Sequence, residues 1–356
     1  MKYEKIEESG KINIHTFLGD QAGCGHIRII FPSLMINQYR YKKLRFESSY
    51  NTLFINDPIF YKNISIVKFQ RSMTSSQLKL IMMCRELSNK MRNFGVIYET
   101  DDLLSPDIPD TNFSSQFYKE AWEDIKKMLS IVHGVTVSTE ELKNELLPYN
   151  KNIQVLKNHL VPYLWEQQIK SNKRKSGKIR ILWAGSQNHF SVKGFGGDFN
   201  SELLNFIKKT SNIYTWVFVG SFPNELLEYK DKFEVHNWQK IYEFGSYLKK
   251  LNCDIGIAPL EKCKFNDCKS NLKALEFCSL GIPGVYSDRA PYKGLELCSD
   301  DNFISNIELL AKNNQEFRNE IWKKDFNKLK DDLYWDDKNI KSYIDKHLNL
   351  FSEELP

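Results

Sequence analysis

Short apolar runs alternate with amphipathic stretches along most of the chain. The runs at 95–100, 179–185 and 214–220 are rich in β-branched and aromatic residues and are typical of buried strands. Between such runs, apolar residues recur at the spacing of one helix face over about 10 to 15 residues. Strands that alternate with helices in this way predict parallel, doubly wound sheets.

The alternation occurs twice and so predicts two domains. In the first half we expect strands at 11–17, 51–57, 64–69, 95–102, 135–139 and 153–158, and helices at 26–41, 75–93, 114–132 and 140–147. In the second half we expect strands at 179–186, 214–221, 233–238, 253–260 and 282–288, and helices at 203–210, 241–252, 271–280 and, with a break near 333–337, 302–354. The predicted architecture is α/β: two doubly wound, Rossmann-like domains, 1–168 and 169–356, that face a cleft, with a helical C-terminal tail. Ligands are expected in this cleft, at the carboxyl ends of the strands.

The segment between the two halves is strongly basic. Residues 167–197 contain no acidic residue, and their basic residues are Lys170, Lys173, Arg174, Lys175, Lys178, Arg180 and Lys193. Because the stretch 170–178 has no apolar side chain to bury, we expect an exposed linker.

Composition narrows the class of protein. The 356 residues carry a formal net charge of +5, with 41% hydrophobic and 27% charged residues, which excludes a disordered or fibrous chain. No apolar run approaches the length of a membrane span, and the first residues are too polar for a signal peptide. The seven cysteines form no C-x-x-C pair, so we expect reduced thiols, no metal site and a cytoplasmic location.

The segment 254–288 carries the richest chemistry. It predicts a buried strand, a polar loop and a helix that begins near Ser270, whose first turn can hold a phosphate or diphosphate together with Asn271. Lys269 and Lys273 flank that turn and can neutralise the same anion, and the Glu276 carboxylate can accept hydrogen bonds from a ribose diol. The alternative is a solvated helix face with ordinary pairing between residues three and four apart.

Two adjacent aspartates end the predicted strand 95–102. At the carboxyl end of a parallel strand, Asp101 or Asp102 can act as a general base for an acceptor hydroxyl. Because neighbours on a strand face opposite sides, we expect only one of them to reach the chemistry. The alternative is a capping or turn role before Ser105 and Pro106.

The segment 254–288 resembles the donor-sugar site of GT-B glycosyltransferases, especially glycosyltransferase family four. Glu276, Gly281, Pro283 and Ser287 match the second half of the family's paired-glutamate pattern. The chain departs from the pattern eight residues earlier, where Cys268 stands in place of the first glutamate. Segments 95–104, 135–146 and 155–162 are similar to consecutive N-domain segments, so the resemblance covers residues 95–292. Residues 265–273 instead resemble the lysine-rich variant that is common in bacterial and phage members, and the phage-encoded, DNA-modifying type is the member that the chain resembles.

The resemblance implies roles for two further loops. In GT-B enzymes the loop matching 19–28 faces the donor phosphates and the acceptor, which makes Gly23, Gly25 and His26 candidate cleft residues, with His26 a catalytic candidate. The loop matching 185–199 approaches the donor diphosphate, which makes Ser186, His189 and Lys193 candidates. The alternative for Lys193 is a flexible surface insertion.

The function implied is metal-independent transfer of a hexose or pentose from a nucleotide sugar, UDP-sugar in the first instance, with no tightly bound cofactor. The first domain would be the acceptor side and the second would bind the nucleotide sugar. Absence of any D-x-D spacing argues against the metal-bound nucleotide site of the other large glycosyltransferase fold. The expected acceptor is a hydroxymethylated pyrimidine in double-stranded phage DNA, in the host cytoplasm. The alternatives are a surface polysaccharide or lipid-linked glycan, and an inactive GT-B module that binds a nucleotide or a partner.

Overall fold

The computed structural model describes residues 11–41, 44–91, 94–110, 112, 114–166, 177–190 and 197–351. The first sheet contains β1 (Lys11–Phe17), β2 (Arg40–Tyr41), β3 (Leu44–Asn51), β4 (Ile66–Gln70), β5 (Gly95–Thr100), β6 (Gly134–Val137) and β7 (Ile153–Val155). Its order is β2-β3-β1-β4-β5-β6-β7, and only the β2–β3 pair is antiparallel.

The second sheet is entirely parallel over its described strands. It contains β8 (Arg180–Gly185), β9 (Thr215–Gly220), β10 (Glu234–Asn237), β11 (Ile255–Ala258) and β12 (Gly284–Tyr286), in the order β10-β9-β8-β11-β12. Both sheets are thus doubly wound, and the predicted α/β fold with two Rossmann-like sheets is confirmed. The strand order reverses between β1 and β4 in the first sheet and between β8 and β11 in the second. Ligand sites in such sheets lie at the carboxyl ends of these strands.

Helices cover both faces of the two sheets. Those of the first half are α1 (Phe31–Asn37), α2 (Ser75–Met91), α3 (Ser115–Ile131), α4 (Glu140–Leu146) and α5 (Pro162–Trp165). Those that follow are α6 (Ser201–Thr210), α7 (Ile241–Lys250), α8 (Lys264–Asp267), α9 (Leu272–Leu280), α10 (Phe303–Lys312), α11 (Gln315–Leu333) and α12 (Asp337–Asn349). The central strands are buried on both faces, as in β9, where the apolar run 216–219 is buried, and in β4, where the polar Lys68 and Gln70 are buried as well.

The last helix, α12, crosses back to the sheet of the first half, although a division at residue 168 assigns it to the second. Lys346 Nζ donates a 2.7 Å hydrogen bond to the Val155 carbonyl oxygen, and the Lys68 ammonium lies 2.6 Å from His347 Nε2. The division at 168 stays a prediction, because residues 167–176 lie outside the described residues.

Two predicted elements differ in the structure. Residues 52–57 form no strand, since Leu53 and Phe54 are exposed in a loop, and the strand β3 lies earlier, at Leu44–Asn51. The predicted helix 26–41 is a π-helical turn, His26–Ile30, followed by α1, and Arg40–Tyr41 form a strand instead. Pro32 does not interrupt α1 because it lies in the first turn, where proline is tolerated.

Candidate active site in the cleft

Asp101 and Asp102 lie just beyond the carboxyl end of β5. Both carboxylates face the guanidinium of Arg71: Nη1 is 3.4 Å from Asp101 Oδ1 and 3.2 Å from Asp102 Oδ2. The expectation that the two would face opposite sides is wrong, because β5 ends at Thr100 and the chain bends at both aspartates. Asp102 is the more exposed of the two, with 22% of its side chain accessible against 14% for Asp101.

Burial raises the pKa of Asp102. The charge of Arg71 opposes this rise, Asp101 adds to it, and Lys269 and His189 of the second half oppose it further. The carboxylate of Asp102 therefore experiences charges from both sides of the cleft. A carboxylate whose pKa is raised toward neutrality is a better general base than an ordinary one.

The glycine-rich turn after β1 is built around Asp20. Its Oδ1 accepts hydrogen bonds from the N–H of Ala22 (2.7 Å) and of Gly25 (3.1 Å). A Cβ at Gly25 would lie 2.0 Å from the Asp20 carbonyl oxygen, so this position requires glycine, whereas a Cβ at Gly23 would meet open space. Gly25 is thus a structural necessity of the turn, and the cleft role of Gly23 stays a prediction.

His26 joins the two halves of the molecule. Its Nδ1 lies 2.9 Å from the Ala22 carbonyl oxygen, and its ring packs edge-on against Phe31 and against Tyr242 of α7. An Nδ1–H donated to Ala22 leaves the Nε2 lone pair as the acceptor. Within the described part of the chain, no hydrogen bond or ion pair joins His26 to Asp101 or Asp102, so its catalytic role also stays a prediction.

On the other side of the cleft, His189 pairs with Asp198. The His189 Nδ1 lies 2.6 Å from Asp198 Oδ2, while Asp198 Oδ1 accepts hydrogen bonds from the Glu261 N–H (2.7 Å) and the Asn266 amide (2.9 Å). Burial lowers the pKa of His189, and the positive charge of Lys269 lowers it further. Burial alone would raise the pKa of Asp198, but the hydrogen bond and charge of His189 hold it below its usual range.

Asp198 was missed by sequence reasoning. The only signal was its place at the end of the polar loop 185–199 that contains His189. Ser186 precedes the 3-10 turn Gln187–His189 and is exposed. Lys193 lies outside the described residues.

The predicted phosphate-binding turn is present at the start of α9. The helix begins at Leu272, and Asn271 at its N-cap makes no capping hydrogen bond with its side chain. The Ala274 N–H donates to the Asn271 carbonyl oxygen at 2.9 Å, and the N–H groups before it in the first turn lack the partners that the interior of a helix provides. Ser270 Oγ accepts a 2.8 Å hydrogen bond from Asn158, and the Lys269 ammonium lies 5.0 Å from the centre of the Phe265 ring.

Lys273 and Glu276 form an ion pair within α9. Lys273 Nζ lies 2.7 Å from Glu276 Oε2, and Glu276 is only 5% exposed. The alternative of a solvated helix face does not hold as a whole, because Ala274–Cys278 are all buried. The pairing three residues apart is nevertheless real, so Glu276 already has one cationic partner.

Cys268, the departure from the family pattern, is buried against the first half. It is 1% exposed and packs in the core cluster that contains β4, β5 and α3 side chains. Its carbonyl oxygen accepts a 2.9 Å hydrogen bond from Thr139 Oγ1, and burial raises the pKa of its thiol to about 12. The position that is acidic in the family thus holds the loop against the first half.

One group of side chains in the described residues has the spacing of metal ligands. Atoms of Cys24, Asp101 and Asp102 lie within 4.8 Å of one another. Arg71 Nη1 is 3.1 Å from Cys24 Sγ and contacts both carboxylates, so a metal ion at this place would have to displace the guanidinium. The expectation of metal-independent chemistry stays a prediction.

Solved structures share this architecture. Sucrose-phosphate synthase from Thermosynechococcus elongatus is 11% identical, with a TM-score of 0.60, over 96% of this chain and 99% of that chain. The N-terminal domain of Candida albicans trehalose-6-phosphate phosphatase is 8% identical, with a TM-score of 0.61, over 97% of each chain. The wall teichoic acid polymerase TagF is 12% identical, with a TM-score of 0.43, over 96% of this chain and 88% of that chain.

Sequence comparison adds nothing to this likeness. No protein-family profile matches the chain, and no characterised protein sequence matches it. Among the described residues, no helix combines the length and apolar character needed to cross a membrane. At identities of 11 and 8% the likeness to the first two structures concerns the fold alone, and it agrees with the predicted two-sheet GT-B fold.

Proposed function

We propose that this protein is a glycosyltransferase that moves a sugar from a nucleotide sugar, UDP-sugar in the first instance, to a hydroxyl acceptor. The observation that carries the proposal is that Asp102, which follows β5, one strand from the strand-order reversal of the first sheet, experiences the charge of Lys269, which follows the reversal strand β11 of the second. A carboxylate that can act as a base and a cation that can bind a diphosphate thus share one cleft.

In the proposed donor site, the diphosphate binds at the start of α9. The free N–H groups of its first turn, together with Lys269, Ser270 and Asn271, supply hydrogen bonds and positive charge. Lys273 lies one turn further and can contact the same anion. Glu276, held by Lys273 at 2.7 Å, keeps its other oxygen for the ribose hydroxyls.

In the proposed reaction, the bond between the sugar carbon and the diphosphate oxygen breaks through a state that resembles an oxocarbenium ion. The cations of the donor site stabilise the charge that develops on the leaving diphosphate. Asp102 accepts the proton of the acceptor hydroxyl while the oxygen of that hydroxyl forms the new bond to the sugar carbon. A product with retained configuration would instead assign that proton to the leaving phosphate.

For the acceptor we propose a hydroxymethylated pyrimidine in double-stranded DNA, modified in the cytoplasm, that of the host if the protein is phage-encoded. Support comes from the resemblance of segments 181–190, 196–199 and 265–273 to phage-encoded glycosyltransferases and from the basic run 170–178. A basic segment that binds phosphates makes affinity strongly dependent on salt. Residues 170–176 of this run lie outside the described residues.

A panel experiment tests the function and the acceptor together. The protein is incubated with several UDP-hexoses and UDP-pentoses and with DNA that contains hydroxymethylcytosine or hydroxymethyluracil, and the nucleosides are analysed by mass spectrometry. A sugar adduct that disappears in Asp102→Asn and Lys269→Met, but not in the exposed control Lys323→Met, supports the proposal. Transfer to a glycan acceptor alone would overturn the DNA acceptor, and UDP binding without any transfer or hydrolysis would indicate a binding module instead.

A further inference from the structure

Arg71 lies at the carboxyl end of β4, in contact with Asp101 and Asp102. Besides the two aspartates and Cys24, it contacts Tyr118, since Nη2 donates a 2.8 Å hydrogen bond to the Tyr118 hydroxyl oxygen. Only 13% of its side chain is accessible. One guanidinium is therefore shared by two adjacent carboxylates, a thiol and a phenol.

The backbone at Arg71 has an unusual conformation that directs its side chain toward Asp101 and Asp102. Arg71 has φ +47°, in the left-handed region that residues other than glycine rarely adopt. Its N–H donates to the Glu99 carbonyl oxygen at 2.8 Å, and Gln70 is bound to Gly19 and Cys24 through its side chain. A Cβ at Gly19 would lie 2.6 Å from the Gln70 carbonyl oxygen, so that turn can approach only because it carries glycine. A strained conformation that the surrounding contacts enforce points to a function for the residue.

The charges around the aspartates show what Arg71 does. Adjacent carboxylates repel, and without a nearby cation one of them tends to take up a proton. The groups that face this pair are Cys24, Tyr118 and Arg71 from the first half and His189 and Lys269 from the second, with Asp20 acting on Cys24. Of the positive groups, only Arg71 contacts both carboxylates directly within the described residues.

We propose that Arg71 is a positioning residue that holds the carboxylates of Asp101 and Asp102 side by side and keeps Asp102 ionised. Its consequence for catalysis rests on the function proposed above, because an ionised Asp102 is the form that accepts the acceptor proton. The placement of the carboxylates does not depend on that function. Lysine at this position would keep the charge but not the fork of donors that reaches several groups at once.

The test is the titration of Asp102, followed by carbon-13 NMR of aspartate carboxyl groups and assigned with Asp101→Asn and Asp102→Asn. We expect the Asp102 midpoint in Arg71→Met to rise by about one pH unit or more, a ten-fold or larger change in proton concentration, with Arg71→Lys between it and the wild type. Arg85→Met is the matched control, since Arg85 lies on α2 and binds the Ile131 carbonyl oxygen instead. Arg71→Lys keeps the test decisive if Arg71→Met fails to fold.

Two readouts separate this inference from the proposed function. If the wild type transfers sugar, the midpoint of the acid limb of the pH–rate profile should lie at a higher pH in Arg71→Lys than in the wild type. UDP affinity should be unchanged. A shifted Asp102 titration in a protein that transfers no sugar would support the positioning role and overturn the glycosyltransferase. An Asp102 midpoint that is the same in the wild type, Arg71→Lys and Arg71→Met would overturn the positioning role, whatever the activity.

Discussion

Asn158 donates a 2.8 Å hydrogen bond to Ser270 Oγ and thereby ties the chain that follows the first sheet to the start of α9. Asn158 Oδ1 in turn accepts a 2.8 Å hydrogen bond from Arg28, whose Nε lies 2.7 Å from Glu99 Oε1. A continuous polar chain therefore runs from the buried core of the first sheet to the proposed diphosphate site. The position of Ser270 depends on residues more than a hundred positions away in sequence.

Asn158→Ala should loosen the proposed donor site. The substitution removes a partner from both Arg28 and Ser270, and an unsatisfied buried polar group costs about 1 to 3 kcal/mol. We expect a lower free energy of unfolding and several-fold weaker UDP binding, measured by denaturant titration and calorimetry. Ser270→Ala removes only the last hydrogen bond and should cost less stability. If Asn158→Ala keeps the stability and UDP affinity of the wild type, the hydrogen bonds that join Glu99, Arg28, Asn158 and Ser270 have no role in holding the site.

Glu99→Gln should destabilise the protein strongly. The side chains of Arg28 and Glu99 are 3% and 1% accessible, and Glu99 also accepts a hydrogen bond from Thr136. Removing one charge from a buried pair leaves the other uncompensated, which costs about 3 to 5 kcal/mol. The comparison is Glu47→Gln, which breaks the exposed 2.6 Å pair with Lys11 and should leave the urea midpoint almost unchanged. Equal effects of the two substitutions would contradict the buried pair's importance.

Lys68 should make stability rise with pH in the alkaline range. Burial lowers its pKa from 10.5 to about 8, with Glu99 opposing the shift. Between these values the unfolded chain binds a proton that the folded chain has released, so the free energy of unfolding rises with pH, by about 3 kcal/mol over the window.

The measurement is the difference in free energy of unfolding between the wild type and Lys68→Met, at pH 8 and at pH 10.5. Taking this difference cancels the contribution of the cysteines and tyrosines, which is the same in both proteins. Their raised pKa values make the free energy of unfolding fall as the pH rises. As the pH rises, the free energy of unfolding of the wild type should increase relative to that of Lys68→Met. The same comparison with the exposed control Lys79→Met should show no such increase. A flat difference would mean that Lys68 is not buried as a neutral or weakly basic amine.

Asp101 and Asp102 should differ in their effect on turnover. Asp102→Asn should lower kcat by about 100-fold or more, because it removes the proposed general base. Asp101→Asn should have a smaller effect, since its carboxylate is the less accessible of the two. UDP affinity, measured in parallel, should stay unchanged in both. The reverse order of effects would assign the base to Asp101.

Local pattern predicted much of the fold and part of the site. The strand β9 is buried on both faces, so its apolar run is unambiguous. The helix that carries Lys273 and Glu276 begins within two residues of the predicted start. The strand β3 was missed because it lies near the sheet edge and is largely polar, with Phe46 its deeply buried side chain. Leu53 and Phe54 misled the prediction because they are apolar but exposed.

The parts of the site that sequence could not reveal depend on distant contacts. Nothing in the residues around Arg71 indicates a positive φ, and its partners Cys24, Asp102 and Tyr118 are 31 to 47 positions away. The pairing of His189 with Asp198 joins two residues nine positions apart that no local pattern connects. Such contacts follow from the assembled sheets, which bring their loops together only at the carboxyl ends of the strands.

The most direct test of a nucleotide-sugar site at the start of α9 is calorimetric titration of UDP into the wild type, Lys269→Met, Lys273→Met and Lys323→Met. Since a charge-assisted hydrogen bond contributes about 1.5 to 3 kcal/mol, loss of Lys269 or Lys273 should weaken binding about ten-fold or more. Lys273→Met should also lower stability, because it leaves Glu276 buried without its partner. We expect the wild type and Lys323→Met to bind UDP equally and the other two proteins to bind it at least ten-fold more weakly. Equal affinity in all four proteins, or no binding by the wild type, would contradict a donor site at the start of α9.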